Sequence, residues 1–395
     1  MTLAPSVRPE TTMSRRPGLS LTEVLVALFI MGIGCIAILT LFPLGALNMA
    51  QAFRDDRCTQ SAYQADAYLR AYVRTARDTG RLNNASEKFL EAMTDPDPKK
   101  AVTSYMPVIG AGPSYPVMID PLGYLARGGM NDTPTAPASR ILWTADGGFG
   151  DGTGGSHTTA LPRRSLGNIT KLIASETVKQ RPLSIRTCSL LDGFGFDSAG
   201  QPATVGGGTT IDRDLRYNWL WLLQRPKLSE AATTVTVVVF DKRAPNYAPP
   251  TGVPLETVWI PTAAATGLTQ VSFTGSYAAN TLPNVQRGGW LLDASICLIN
   301  RTPAGSPPTV VPFRGSGNPP PGAEPWVRNA NFYRVVSVTE TTTGIDVELE
   351  IPLRDDTGRN VAPVTNDPPL PLSERRFMYL SGAAEVFERP LPLEL

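Results

Sequence analysis

An uncharged apolar stretch near the amino end of the chain predicts a membrane-spanning helix. No charged residue occurs from residue 24 to residue 53. Residues 24–47 would form a helix of about 36 Å, which can cross a hydrocarbon layer of about 30 Å. The alternative is a secretory signal peptide, because AQA at residues 50–52 has the form of a cleavage site. A signal peptide has an apolar region of only about 7–15 residues, so the pattern favours an anchor.

The pattern beyond the anchor predicts that the helix continues and becomes amphipathic over residues 48–82. Gly80 stands where a helix could end. Apolar residues recur at spacings of three and four, which places them on one face of a helix. We expect this face to pack against a sheet or against neighbouring helices. Its members are Cys58, Ala62, Ala65, Leu69, Tyr72 and Ala76, with Val73 beside them.

Strand patterns dominate from residue 217 onward. YNWLWLLQR and TTVTVVVFDKR are rich in aromatic and β-branched residues and predict a hairpin with a long loop. A second hairpin is predicted for NFYRVVSVTE and GIDVELEIPL, joined by TTTG. Acidic and apolar residues alternate in DVELEI, so one face of that strand is expected to be exposed to solvent and the other to be buried. GGWLLDASICLI and FMYLSGAAEVFER are each interpreted as one further strand.

The segment between the helix and these strands, residues 83–216, is punctuated by proline and glycine and predicts loops around short elements. The predicted fold class is therefore α+β. A long N-terminal membrane-spanning helix continues into an amphipathic helix and is followed by a large antiparallel β-rich head. We divide the head into a loop-rich α+β part, residues 83–216, and an antiparallel β part, residues 217–395. Whether these parts are one domain or two stays open.

Charge and cysteine content narrow the possible functions. The 36 basic and 35 acidic residues leave a net charge of +1, so the sequence indicates no nucleic-acid partner. The 4 cysteines are too few for a dense disulfide framework. Cys188 and Cys297 could pair if the head lies outside the cytoplasm. Two separate buried thiols are the favoured interpretation.

Residues suited to catalysis or metal binding are scarce. His157, the single histidine, lies in a Gly-rich loop, so neither a multi-histidine zinc site nor a nucleophile with its base is supported. Asp146 and Asp151 in DGGFGDGTGG suggest calcium, but their spacing fits neither an EF-hand nor a GGxGxD repeat. We therefore expect no cofactor, no metal and no enzymatic activity.

Two further groups of residues have a structural explanation beside a functional one. Tyr217, Trp219 and Trp221 could bind a sugar or a partner. Alternate residues of a strand share one face, however, so a role in the core is favoured. The segment SLLDGFGFD, with Asp192 and Asp197, is equally well explained as a turn.

A single carboxylate, Glu23, stands at the start of the apolar run. The stretch GLSLTEVLVALFIMGIG around it resembles the prepilin processing signal of the type IV filament superfamily, the type IV pilins and the pseudopilins of type II secretion. It is most similar to the minor members. In that family a membrane peptidase cuts after a glycine and methylates the new terminus, and a glutamate is the fifth mature residue. Gly18 matches the glycine before the cut, Leu19 the first mature residue and Glu23 the fifth.

The resemblance implies a cytoplasmic leader at residues 1–18 and a transmembrane and assembly helix at residues 19–47. The implied partners are prepilin peptidase, other pilin or pseudopilin subunits and the membrane. The implied location is the inner (cytoplasmic) membrane, with a single span and the head outside the cytoplasm, and then a filament in the periplasm or at the cell surface. Pro17 and Thr22 depart from the family pattern and are expected to slow processing without abolishing it. Pro43 lies later than the family's helix-interrupting proline and is expected to kink the helix.

A physical role for Glu23 stands beside the resemblance. Cleavage would create an amine on Leu19 that keeps its positive charge when methylated. A lone carboxylate at the bilayer centre costs about 2.5–3.5 kcal/mol on insertion scales, whereas an adjacent amine attracts it strongly in apolar surroundings. Pairing with the terminus of a neighbouring subunit would therefore favour one axial offset. The alternative is a carboxylate at the membrane interface, stabilised by the helix dipole.

The leading hypothesis is thus a minor pilin or pseudopilin subunit with an unusually large head. The second hypothesis is a single-pass, membrane-anchored β-rich module that binds a glycan or a protein and does not assemble into a filament. A third, an anchored enzyme, has little support because no constellation of acid, base or metal ligands is found.

Overall fold

A computed structural model of the chain shows a long apolar helix followed by antiparallel β sheets, which confirms the α+β class at this level. The chain divides into two compact units, Met1–Asp56 and Arg57–Leu395. The structure describes residues 20–80, 117–120, 163–164, 166, 187–191, 193–194, 199, 201–202, 213–224, 233–241, 243, 258–264, 269–275, 282, 284–293, 297–300, 309–312, 323–328, 330–353, 357–358, 375 and 377–391.

Helix α1 spans Leu21–Asp78, 58 residues without interruption. It ends where the sequence indicated, because Gly80 adopts a φ of 67° that favours glycine. The Gly80 N–H donates to the Arg77 carbonyl at 3.0 Å and closes the last turn. Residues 81–82 of the predicted helical segment lie outside the described residues.

The described strands are short in the first half of the chain and longer in the second. In chain order they are β1 (Val117–Ile119), β2 (Arg163–Arg164), β3 (Gly193–Phe194), β4 (Arg213–Asp214), β5 (Tyr217–Gln224), β6 (Thr233–Asp241), β7 (Val258–Trp259), β8 (Ala263–Ala264), β9 (Gln270–Thr274), β10 (Trp290–Asp293), β11 (Cys297–Asn300), β12 (Thr309–Pro312), β13 (Ala323–Arg328), β14 (Asn331–Glu340), β15 (Gly344–Leu349), β16 (Thr357–Gly358), β17 (Phe377–Tyr379) and β18 (Ala383–Leu391).

Five strands form a sheet that packs on the helix, in the order β18-β6-β5-β1-β2, here called the helix-backed sheet. The predicted first hairpin is confirmed, since β5 and β6 pair antiparallel from Tyr217 opposite Asp241 to Gln224 opposite Thr234. Strand β1 pairs antiparallel with β5 and parallel with β2. The sheet thus combines strands from residues 83–216 with strands from residues 217–395.

The core of the helix-backed sheet is built from alternate residues of its strands and one side of the helix. Strand residues Tyr217, Trp219 and Trp221 all lie in this core, which confirms their predicted structural role. The helix residues buried from Arg57 onward lie at spacings of three and four, as the 3.6-residue period requires. They are Cys58, Ser61, Ala62, Ala65, Leu69, Tyr72, Val73 and Ala76.

A second sheet of seven strands has the order β7-β17-β10-β14-β15-β9-β8, and it is strongly curled. Its two outermost strands, β7 and β8, are separated in the chain by residues 260–262 only. From Trp259 to Ala263 an extended chain reaches at most about 14 Å. A flat sheet of seven strands would hold its edges about 29 Å apart. The curled sheet therefore bends round until its first and last strands approach each other.

The second predicted hairpin, β14 with β15, lies in the curled sheet and is confirmed. Val347 and Leu349 of β15 are buried and Glu348 is exposed, as the alternation predicted. Gly344 at the start of β15 is required by close packing, because a Cβ there would collide with the Phe273 carbonyl oxygen of β9. The interior contains mainly aliphatic residues and Phe273, Tyr333 and Phe377.

Two segments interpreted as single strands are each two strands, and that interpretation was wrong. FMYLSGAAEVFER forms β17 in the curled sheet and β18 in the helix-backed sheet. Gly382, with a φ of 79°, makes the turn between them. GGWLLDASICLI likewise forms β10 in the curled sheet and β11 in a four-stranded sheet. Side-chain alternation reports which face is buried and does not report that the chain changes sheet.

Candidate membrane and assembly segment

The first turn of helix α1 is closed by a reciprocal pair of hydrogen bonds between Ser20 and Glu23. The Ser20 N–H donates to Oε2 of Glu23, and the Glu23 N–H donates to Oγ of Ser20, each at 3.3 Å. The Ser20 and Thr22 hydroxyls also bond to each other at 2.8 Å. This is a capping box, in which two helix-start N–H groups are satisfied by neighbouring side chains. Glu23 therefore has a local role besides its charge.

The sequence signal for this cap was overlooked. Ser20 and Glu23 have the spacing S-x-x-E immediately before an apolar run, which is a recognised mark of a helix start. It places the start of the helix after the predicted cleavage point. Gly18 and Leu19, the residues of that point, lie outside the described residues, as does Pro17.

Behind the cap, the helix exposes apolar side chains on every side. All residues from 21 to 53 are exposed, including the large side chains of Phe29, Ile38 and Phe42. Among the described residues, one helix, α1, is long enough and apolar enough to cross a membrane. An apolar surface that runs around a whole helix is unsuited to water and suited to lipid or to other helices.

Pro43 lies inside the helix, which continues through it to Asp78. Proline has no N–H, so the carbonyl of Leu39 loses its intrahelical donor. One turn earlier, the Thr40 hydroxyl donates to the Ala37 carbonyl at 2.9 Å. The kink expected at Pro43 stays a prediction.

From Arg57 onward the helix is fastened to the helix-backed sheet. The indole N–H of Trp221 donates to the Ala65 carbonyl at 3.0 Å in a fully buried position. The ring of Tyr68 stacks on Trp221 with 6.1 Å between ring centroids. Ala62 and Ala65 have small side chains, which let the helix approach the bulky strand residues closely. The part of the helix from Arg57 onward is therefore an integral part of the head.

Three titratable groups among the described residues of the head, Arg243, Asp120 and Cys188, lie in structural surroundings. Arg243 forms a bidentate ion pair with the buried Asp120, at 2.9 and 2.6 Å. Cys188 is a free, fully buried thiol, and burial together with the Asp120 carboxylate raises its pKa far above its usual range. A thiol that stays protonated is a poor nucleophile. The side chain of Cys297 lies outside the described residues.

The remaining residues considered from the sequence cannot be placed. His157, Asp146, Asp151, Asp192 and Asp197 lie outside the described residues. Among the residues that are described, no group of three or more His, Cys, Asp and Glu side chains is arranged to hold a metal ion. The site that the described residues define is thus the capped first turn with Glu23 and the exposed, uncharged residues 24–53 that follow it.

The capping box makes a measurable prediction. Ser20→Ala is expected to weaken the helix end by about 1 kcal/mol, because the Glu23 N–H loses its acceptor. Amide hydrogen exchange at Glu23 and Val24, measured in detergent micelles, should then be about fivefold faster. Thr40→Ala, which removes a hydroxyl in mid-helix, is the control and should leave those amides unchanged. Equal exchange in Ser20→Ala and the native chain would contradict the cap.

Comparison of the chain with protein-family models, with curated proteins and with solved structures finds no match.

Proposed function

We propose that the chain is a minor pilin-like or pseudopilin-like subunit. A prepilin peptidase cuts it after Gly18, and the mature protein assembles with other subunits through its amino-terminal helix. The observation that carries this proposal is a helix whose first 33 residues are all exposed and whose single ionisable carboxylate there, Glu23, lies in the first turn. The proposal assigns no catalytic step to the chain itself.

The exposed helix requires surroundings that the head does not supply. Before assembly, the lipid bilayer would cover its apolar side chains, with the head outside the cytoplasm. After assembly, helices of other subunits would take the place of lipid. Residues 48–82 would act as an amphipathic extension that holds the head, supported by the one-sided burial from Cys58 to Ala76.

The negative charge of Glu23 is better explained by a role in assembly than by a role in the helix cap. A capping box accepts glutamine as well as glutamate at this position, so the cap alone does not require a charge. Its two bonds of 3.3 Å are also long for hydrogen bonds. A cationic terminus on a neighbouring subunit would give the charge a partner in apolar surroundings and favour one axial offset.

The size of the head supports a minor role. After the helix ends at Asp78, 317 residues follow. A head of this size on each subunit would crowd a closely packed helical repeat. The subunit would therefore cap or decorate a filament, in the periplasm or at the cell surface, rather than build its shaft.

Mass spectrometry of the native amino-terminal peptide tests the proposal. The expected mature terminus is Leu19 carrying one methyl group. A Gly18→Asp variant, which removes the residue before the cut, is expected to keep residues 1–18. A native protein that keeps its leader, or begins elsewhere, would overturn the proposal.

The capping box favours one alternative. Because Ser20 already gives Glu23 a partner, a plain single-pass anchor for a glycan- or protein-binding head would account for the same residue. The two functions differ in whether the charge of Glu23 is needed.

A further inference from the structure

Among the described strands, β18 forms an edge of the helix-backed sheet, where it pairs with β6. Antiparallel strands alternate between residues that bond to the partner and residues whose N–H and C=O point away from it. Pro390, opposite Thr234, has no N–H, and its carbonyl points outward. By alternation, Glu388 and Val386 also direct their backbone groups outward. An edge of this kind is a template for another strand.

The end of this edge at Pro390 is closed by a side chain from the helix. Nη2 of Arg70 donates to the Pro390 carbonyl at 2.8 Å, in the position that the N–H of an added strand would need. Pro390 itself offers no N–H in return. An added strand therefore finds neither a free acceptor nor a donor at this residue.

Arg70 is held in place by a network of charges. Its Nε lies 2.9 Å from both carboxylate oxygens of Asp66, one turn earlier on the helix. Asp66 also lies 3.8 Å from Nη1 of Arg389, and the Arg389 guanidinium lies over the Tyr63 ring at 4.2 Å from its centroid. Arg70 and Asp66 are both partly buried, so these contacts restrict the positions open to the guanidinium.

The other end of the edge carries a weaker contact, longer than the usual range of about 2.7–3.2 Å for N–H···O bonds. The indole N–H of Trp290, from the curled sheet, donates to the Ala384 carbonyl at 3.4 Å. With Pro390 closed, Val386 and Glu388 are the two outward-facing positions of β18 that neither contact reaches. Two residues are too few for a stable strand pair, because even an isolated two-stranded hairpin is only marginally stable in water.

We propose that Arg70 and Pro390 block strand addition at β18, and that the strand they exclude is β18 of a second copy. A second β18 would fit antiparallel about a two-fold axis at Phe387. Val386 would then lie opposite Glu388 of the other copy and Ala384 opposite Pro390, so no like charges would face each other. Confinement of many copies to a membrane raises the risk of such pairing. The inference holds whether or not the protein forms filaments.

The test is the double variant Arg70→Ala, Pro390→Val in the full chain, solubilised in detergent. Removal of both blocks is expected to strengthen self-association about tenfold, measured by analytical ultracentrifugation over a range of concentrations. The backbone amides of Val386 and Glu388 should become protected from hydrogen exchange as the concentration rises. This second readout separates strand pairing from association of the apolar helices.

A matched control changes the same residue types elsewhere. Arg74→Ala, Pro352→Val alters an exposed arginine one turn further along the helix and an exposed proline outside the strands. It should associate like the native chain. If the double variant has a changed circular dichroism spectrum, the single variant Pro390→Val, which retains Arg70, replaces it in the test. Its self-association should be strengthened as well, but by less than in the double variant. A folded variant without concentration-dependent protection at Val386 and Glu388 would overturn the inference.

Discussion

If the proposed function holds, Glu23→Gln is expected to keep the protein out of filaments while leaving it in the membrane. Glutamine keeps the hydrogen bonds of the capping box and loses the charge. In an assembled filament, this leaves the cationic terminus of a neighbouring subunit without its partner in apolar surroundings. Removal of one member of a buried ion pair costs about 3–5 kcal/mol, so incorporation should fall about a hundredfold or more. Immunoblots of sheared filaments and of membranes measure the two pools.

Two further variants separate the charge of Glu23 from its cap. Ser20→Ala weakens the cap and keeps the carboxylate, so it should still enter filaments. Glu23→Ala loses both and should be excluded like Glu23→Gln. If Glu23→Gln assembles normally and only Glu23→Ala is impaired, the residue acts as a cap. The anchored binding module would then be the better description of the protein.

Trp221→Ala is expected to cause the largest loss of head stability. The side chain is fully buried between the helix and the sheet, and its indole N–H bonds to the Ala65 carbonyl. Truncation of a buried tryptophan costs about 3–5 kcal/mol, because the ring contacts disappear and a cavity remains. Denaturant unfolding of the full chain in detergent, followed by near-ultraviolet circular dichroism, should show the lower midpoint.

Trp221→Phe is the matched control for this prediction. Phenylalanine keeps most of the ring packing and loses the N–H donor, so the expected loss is only about 1 kcal/mol. Tyr63→Ala, at an exposed position of the same helix, should change the midpoint little. Equal midpoints for Trp221→Ala and Trp221→Phe would show that the ring contributes no packing energy between helix and sheet.

Predictions from local periodicity were most successful where a single helix or strand packs against a single surface. The seven helix residues chosen by their spacing are all buried in the head. The two hairpins were recognisable because each pairs two strands that follow each other directly in the chain. The single-strand interpretations of FMYLSGAAEVFER and GGWLLDASICLI were wrong for the opposite reason: in each, the chain moves from one sheet to another within a few residues.

In the candidate membrane and assembly segment, too, local features could be read from the sequence and long-range contacts could not. The apolar run, Glu23 and Pro43 could be read directly, because membrane crossing and helix geometry depend on residues close together in the chain. The cap by Ser20 could also have been read from its S-x-x-E spacing. No local signal pairs Arg70 with Pro390, which are 320 positions apart. The same is true of Arg243 with Asp120, 123 positions apart.

The sequence by itself determined the long apolar helix, the side of its second part that is buried, and the β character of the head. These properties follow from periods of 3.6 and 2 residues, which a short window contains. The tertiary structure alone decided which strands share a sheet, that the seven-stranded sheet curls, and which side chains close the β18 edge. Such features depend on residues brought together across hundreds of positions, where chain connectivity and packing select the partner.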